Sequence, residues 1–134
     1  MARPSRTIVE RPISPHLSVY RFTWTMAMSI AHRITGVACY AAMPLIVIGL
    51  WAVADGPGTY DGFITLAGSW LGILVLIGLS WALIHHSIGG VRHIVWDSGI
   101  GLGNPARHRW AQGTLIGSVV LTVVLWLILL LGDL

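Results

Sequence analysis

The hydrophobic and polar positions of this chain fall into long blocks, not into an alternating or amphipathic pattern. Apolar residues dominate 23–54, 63–91 and 113–131, and charged or turn-forming residues fill the gaps. Each run reaches the ~18–20 residues needed to cross a ~30 Å hydrocarbon core. Lipid offers no water to satisfy the backbone, so a crossing segment must close its own hydrogen bonds as a helix, and an open sheet cannot cross. The blocks predict an all-α membrane protein with three transmembrane helices over about 23–54, 63–96 and 111–132. The first run is too long to lie wholly in hydrocarbon and must tilt or extend into the headgroup layer. Between the runs, Asp55-Gly56-Pro57-Gly58-Thr59-Tyr60-Asp61-Gly62 reads as a short outer loop. Residues 97–110, punctuated by Gly99, Gly101, Gly103 and Pro105, read as an inner loop, because glycine and proline stop helices. Such short connections predict an up-down-up topology. The domain organisation expected is an arm over 1–22 followed by a single three-helix anchor domain over 23–134.

Composition agrees with the blocks. The 134 residues are 55% hydrophobic and only 10% charged, where a soluble domain is nearer a quarter charged. Charge then supplies an orientation. There is no lysine, and the eight basic residues are Arg3, Arg6, Arg11, Arg21, Arg33, Arg92, Arg107 and Arg109. With three spans all eight fall on one side, whereas Asp55, Asp61 and Asp133 fall on the other. The positive-inside rule puts the N-terminus and the second loop on the cytoplasmic or matrix side. That asymmetry accounts for the basic balance, so nucleic acid is not expected as a partner.

The segment 1–22 is polar, carries three prolines and lacks the apolar core of a secretory signal. It reads as an extended inner-side arm. Glu10 and the prolines argue against an amphipathic transit helix, so a bacterial inner membrane is expected in preference to a mitochondrial one. Cys39, the single cysteine, lies inside the first run and reads as a small packing residue. Trp24, Trp51, Trp96 and Trp110 sit near predicted span ends, where indole favours the interface. Trp70, Trp81 and Trp126 read as deeper. Gly72 with Gly78, and Gly89 with Gly90, are candidates for close helix approach.

Against this background the polar residues inside the runs stand out. Arg33 follows eleven uncharged residues and precedes 21 more. A guanidinium at a helix centre costs roughly 2.5–3.5 kcal/mol on insertion scales, so such a residue is a functional candidate by default. It offers five donors and keeps its charge, which suits anionic or carbonyl oxygens. Ser29 lies four residues earlier, on the same helix face. A hydroxyl and a guanidinium on one face suit a quinone carbonyl, which gains negative charge on reduction. The structural alternative for Ser29 is a bond back to its own helix carbonyl. Thr35 and Gly36 read as packing residues.

The second run ends in His85-His86-Ser87-Ile88-Gly89-Gly90-Val91-Arg92-His93. Adjacent helical residues lie about 100° apart, so His85 and His86 cannot face one target. His86 and His93 share a face but are about 10 Å apart along the axis, too far to bind one ion. They could hold different parts of a large planar ligand. A haem fits, with one imidazole on the iron and His and Arg near its propionates. The competing reading is that these histidines are polar glue between helices. His32, His86 and His93 all fall toward the inner end of two adjoining helices, near Arg33 and Arg92.

Three stretches together resemble a known family. They are Arg11-Pro12-Ile13-Ser14-Pro15-His16-Leu17-Ser18-Val19-Tyr20, Ser29-Ile30-Ala31-His32-Arg33-Ile34-Thr35-Gly36, and His86 to Asp97 with Gly90, Arg92 and His93 between. In this order they look like the cytochrome b membrane-anchor subunit of succinate dehydrogenase, complex II. The resemblance implies a haem b held between this chain and a second small membrane-anchor subunit, with His86 as this chain's axial ligand. It implies that Ser29 and Arg33 take part in the ubiquinone site, and that His32, with Arg92 and His93, neighbours the haem propionates. It implies docking of an iron–sulfur subunit and a flavoprotein subunit on the inner face. His85 remains the rival to His86. No catalytic residue is expected in the chain alone, which has no flavin or nucleotide motif and no cysteine cluster. The alternatives are a haem-free structural anchor, the anchor of a fumarate reductase running the reaction backwards, and a small transporter. The near absence of acidic residues in the spans makes a poor cation path.

Overall fold

The computed structural model describes residues 13–132. After a single 3-10 turn at Leu17–Val19 come α1 (Trp24–Asp55), α2 (Pro57–Ala67), α3 (Trp70–Asp97) and α4 (Asn104–Gly132). No strand is present among the described residues. α1, α3 and α4 are each long and apolar enough to cross a membrane. At 32 residues α1 is about 48 Å long at the α-helical rise, well beyond the hydrocarbon thickness. It runs on through Pro44, which lacks an N–H for the preceding turn, a loss membrane helices tolerate.

Two expectations about the connections need correction. The segment 55–62 is mostly helical: α2 begins at Pro57 and takes in Phe63 to Ala67, so the second span starts at Trp70 and not at 63. Gly56, at φ 121°, ends α1 in a conformation only glycine adopts easily. Pro57 then occupies the first turn of the new helix, where its missing N–H is no loss. The residues read as helix stops are therefore also a helix start. At Ser69 the hydroxyl accepts from the Gly72 N–H at 3.1 Å and caps α3. Trp70 is consequently the exposed first residue of α3 and not a deep one. Likewise α4 begins at Asn104, earlier than 111, after a turn in which Gly99 and Gly101 have positive φ.

The inside of this bundle inverts that of a soluble protein. The buried residues are Met28, Thr35, Ala42 and Ala52 on α1, Ala82, His85, Gly89 and Arg92 on α3, and Ala111, Thr114, Ser118 and Thr122 on α4. Those on α3 and α4 recur every three or four residues, one stripe per helix. Nearly all are small or polar, while leucine, isoleucine and valine face outward. Small residues let helix backbones approach, and large apolar ones lose nothing by facing acyl chains. α4 packs against both α1 and α3. Along α3 the bonded residues run Ser80, His85, Arg92, while their partners on α4 run Trp126, Ser118, Thr114. This is an antiparallel register. Of the glycine candidates, Gly89 meets α1 and Gly72 meets the end of α2, whereas Gly78 and Gly90 have nothing close.

Candidate functional site

Three histidines meet between α1 and α3. The rings of His32 and His86 stack in parallel, with centroids 4.1 Å apart and planes 2° from coplanar. His93 also lies against His32, 5.2 Å away and tilted by 51°. Trp96 closes the row edge-on to His93 at 5.5 Å. The stack requires α1 and α3 to come close, and two glycines permit it. A Cβ at Gly36 would lie 2.8 Å from Cε1 of His86, and one at Gly89 would overlap the His32 ring. Each glycine thus makes the space for the imidazole of the opposite helix. Thr35 is buried beside them, its hydroxyl bonded back to the carbonyls of Ala31 and His32, and it serves packing as read from the sequence.

The hydrogen bond of His86 fixes its chemistry. Nδ1 lies 3.0 Å from the backbone oxygen of His32. A carbonyl only accepts, so Nδ1 carries the proton and donates. In the neutral ring this tautomer leaves the lone pair on Nε2. The ring is half-buried, not sealed. An imidazole whose Nδ1–H is held by a carbonyl is the arrangement that orients a metal-binding histidine. Among the described residues no group of three or more His, Cys, Asp or Glu could hold a bare metal ion. What His86 can offer is a single imidazole nitrogen, enough for an iron that brings its other ligands with it.

His85, one residue earlier, turns to α4 instead of α1. It is 0% exposed, with Nδ1 3.1 Å from the hydroxyl oxygen of Ser118 on α4. Trp81 packs against it at 5.2 Å. Arg92 shares this inner face. It is 2% exposed, donates from Nη1 to Thr114 Oγ1 at 3.3 Å, and lies 5.0 Å from the centre of the Trp96 ring. Arg92 therefore sits behind the histidine row, between α3 and α4, and Trp96 links the two.

On α1, Ser29 is half-buried and Arg33 exposed, one turn apart. Ser80 and Ser87 bond back to carbonyls of their own helix. Ser29 forms no such bond among the described residues, which leaves its hydroxyl available. His32 and Arg33 diverge: the imidazole turns to α3 and the guanidinium outward. Sequence reasoning passed over Ser118 and Thr114, which lie in the most apolar run. The available signal was the polar stripe Thr114, Ser118, Thr122, spaced four apart.

Residues 7–125 match the model of the family described as succinate dehydrogenase/fumarate reductase transmembrane subunit. The chain belongs to this family. The match takes in every residue of the α1–α3 site. The succinate dehydrogenase cytochrome b556 subunit of Paracoccus denitrificans is 42% identical over 114 residues, covering 85% of this chain and 88% of that one. The cytochrome b556 subunit of Rickettsia conorii is 34% identical over 118 residues, 87% of this chain and 91% of its own. The mitochondrial cytochrome b560 subunit of Sus scrofa is 38% identical over 118 residues, 84% of this chain and 68% of its own. Family and spans together make this a multi-pass membrane protein.

Proposed function

We propose that this chain is a membrane-anchor subunit of succinate dehydrogenase that holds a haem b through His86 and contributes Ser29 and Arg33 to the ubiquinone-reduction site. The observation that carries the haem reading is the bond from His86 Nδ1 to the His32 carbonyl, which leaves Nε2 free on a half-buried ring. The cytochrome b names of the relatives point the same way. His86 would hold the haem iron from this chain, and a second membrane subunit would share the group. His32 and His93, whose rings lie in the same group as His86, would offer N–H donors to the haem propionates. Arg92, buried behind them, contributes a fixed positive charge to those surroundings. Haem, when bound, supplies a one-electron carrier inside the membrane.

Ser29 and Arg33 act on the quinone. Their donors lie one turn apart on α1, and a charge-assisted bond strengthens as the carbonyl oxygen becomes anionic. The guanidinium cannot lose its proton, so its stabilisation persists through reduction. The arginine-rich arm and the α3–α4 connection lie on the inner side by the positive-inside rule. There the iron–sulfur and flavoprotein subunits dock, within electron-transfer reach of the quinone head. The membrane is a bacterial inner membrane and the reaction runs from succinate to ubiquinone.

The test is a reduced-minus-oxidised visible spectrum of the complex purified with its partner subunits. A b-type band, lost in His86→Ala, supports the reading. No band in a verified intact complex leaves a haem-free anchor and removes His86 from the site.

A further inference from the structure

α3 carries two histidines side by side, about 100° apart around its axis. A rotation by one residue would bring His85 to the place of His86 and carry His86 a further 100° around the helix. Apolar packing alone fixes such a rotation weakly in a membrane, because a leucine gains little by facing a helix in place of an acyl chain. Directional bonds must do it. α3 has three side-chain bonds to α4: Trp126 Nε1 donates to Ser80 Oγ at 3.0 Å, His85 Nδ1 meets Ser118 Oγ at 3.1 Å, and Arg92 Nη1 donates to Thr114 Oγ1 at 3.3 Å. Only in the central pair are both residues 0% exposed. The Ser118 hydroxyl donates to the Leu115 carbonyl at 2.9 Å, so its oxygen accepts from the His85 Nδ1–H. A bond from one ring atom to a hydroxyl already held by its own helix tolerates little rotation of α3.

We infer that His85 is a positioning residue for the adjacent His86. Its bond to Ser118 locks α3 in the rotation that presents His86 and His93 toward α1. His85 is kept from the iron by enclosure: the ring is 0% exposed, and its Nε2 is buried without a partner. This inference rests on the reading of His86 as haem ligand and adds to it the cause of the choice between the two histidines.

The test uses the complex purified with its partner subunits, as wild type, Ser118→Ala, His85→Leu and His85→Asn. Haem per complex is measured by pyridine haemochrome, and ligand geometry by the ferric low-spin EPR signal, which responds to the orientation of the axial imidazole planes. Ser118→Ala and His85→Leu are expected to keep stoichiometric haem with a shifted or broadened EPR signal. His85→Asn, whose amide nitrogen stands near the place of Nδ1, is expected to restore the wild-type signal. Wild-type signals in Ser118→Ala and His85→Leu alike would overturn the inference and leave His85 a packing residue. If His85→Leu fails to assemble, Ser118→Ala, which removes one oxygen, decides alone. Absence of haem from the wild-type complex is a separate failure, that of the haem reading, and the inference falls with it.

Discussion

The two sides of α3 use the same kinds of residue to opposite ends. Toward α4, His85 and Arg92 are enclosed and bonded to serine and threonine hydroxyls. Toward α1, His86 and His93 both lie against His32, with Gly36 and Gly89 making room for the rings and part of the surface left open. On the closed side His85 Nδ1 and Arg92 Nη1 are bonded within the chain, while His85 Nε2 and Arg92 Nε are enclosed without a hydrogen-bond partner. The open side holds a ring nitrogen whose lone pair has no use inside the chain. On the proposed reading, the two adjacent histidines divide between structure and function, and burial is what separates them: His85 is enclosed and His86 half-buried.

Mutations on the two sides should separate accordingly. The largest effect is expected from His86→Ala, which should remove or greatly loosen the haem in the visible difference spectrum, while His85→Ala keeps the band. The reverse result would exchange the roles of the two sides. Next, Arg33→Leu should lower ubiquinone reduction by about tenfold to a hundredfold, since a bond to a charged group is worth ~1.5–3 kcal/mol. Succinate oxidation with a soluble artificial acceptor should hold, and equal loss of both activities would point to failed assembly. Gly89→Leu should force α1 from α3, because even a Cβ there overlaps His32. The overpacking should destabilise the complex by about 1–3 kcal/mol, read as a lower Tm in detergent. The smallest effect belongs to Ser80→Ala at the far end of the closed side. Losing one interhelical bond in a membrane should cost about 0.6 kcal/mol, a small fall in Tm with the haem spectrum unchanged.

Much of the fold was legible because membrane spans announce themselves by composition, independent of any partner. The short helix α2 was not legible, since Gly56 and Pro57 read equally as a stop and as a start, and only the backbone turn at Gly56 distinguishes the two. The shared face of His86 and His93, and that of Ser29 and Arg33, followed from helical periodicity. The place of Arg92 did not: its number puts it beside His93, but its side chain turns to Thr114, away from the row. The second nitrogen of His86 was likewise unassigned until the His32 carbonyl was found against it.

The sequence by itself determined residence in lipid, three crossing helices and the faces on which the polar residues lie. These depend on local composition and on the 3.6-residue period, which act within a few turns. Only the tertiary structure decided which face is closed and which is open. That choice rests on Ser118 and Thr114, which meet α3 across 33 and 22 residues of chain, and on two glycines that admit imidazoles from the opposite helix. Lipid is indifferent to which apolar face it touches, so the decision fell to directional bonds between distant residues.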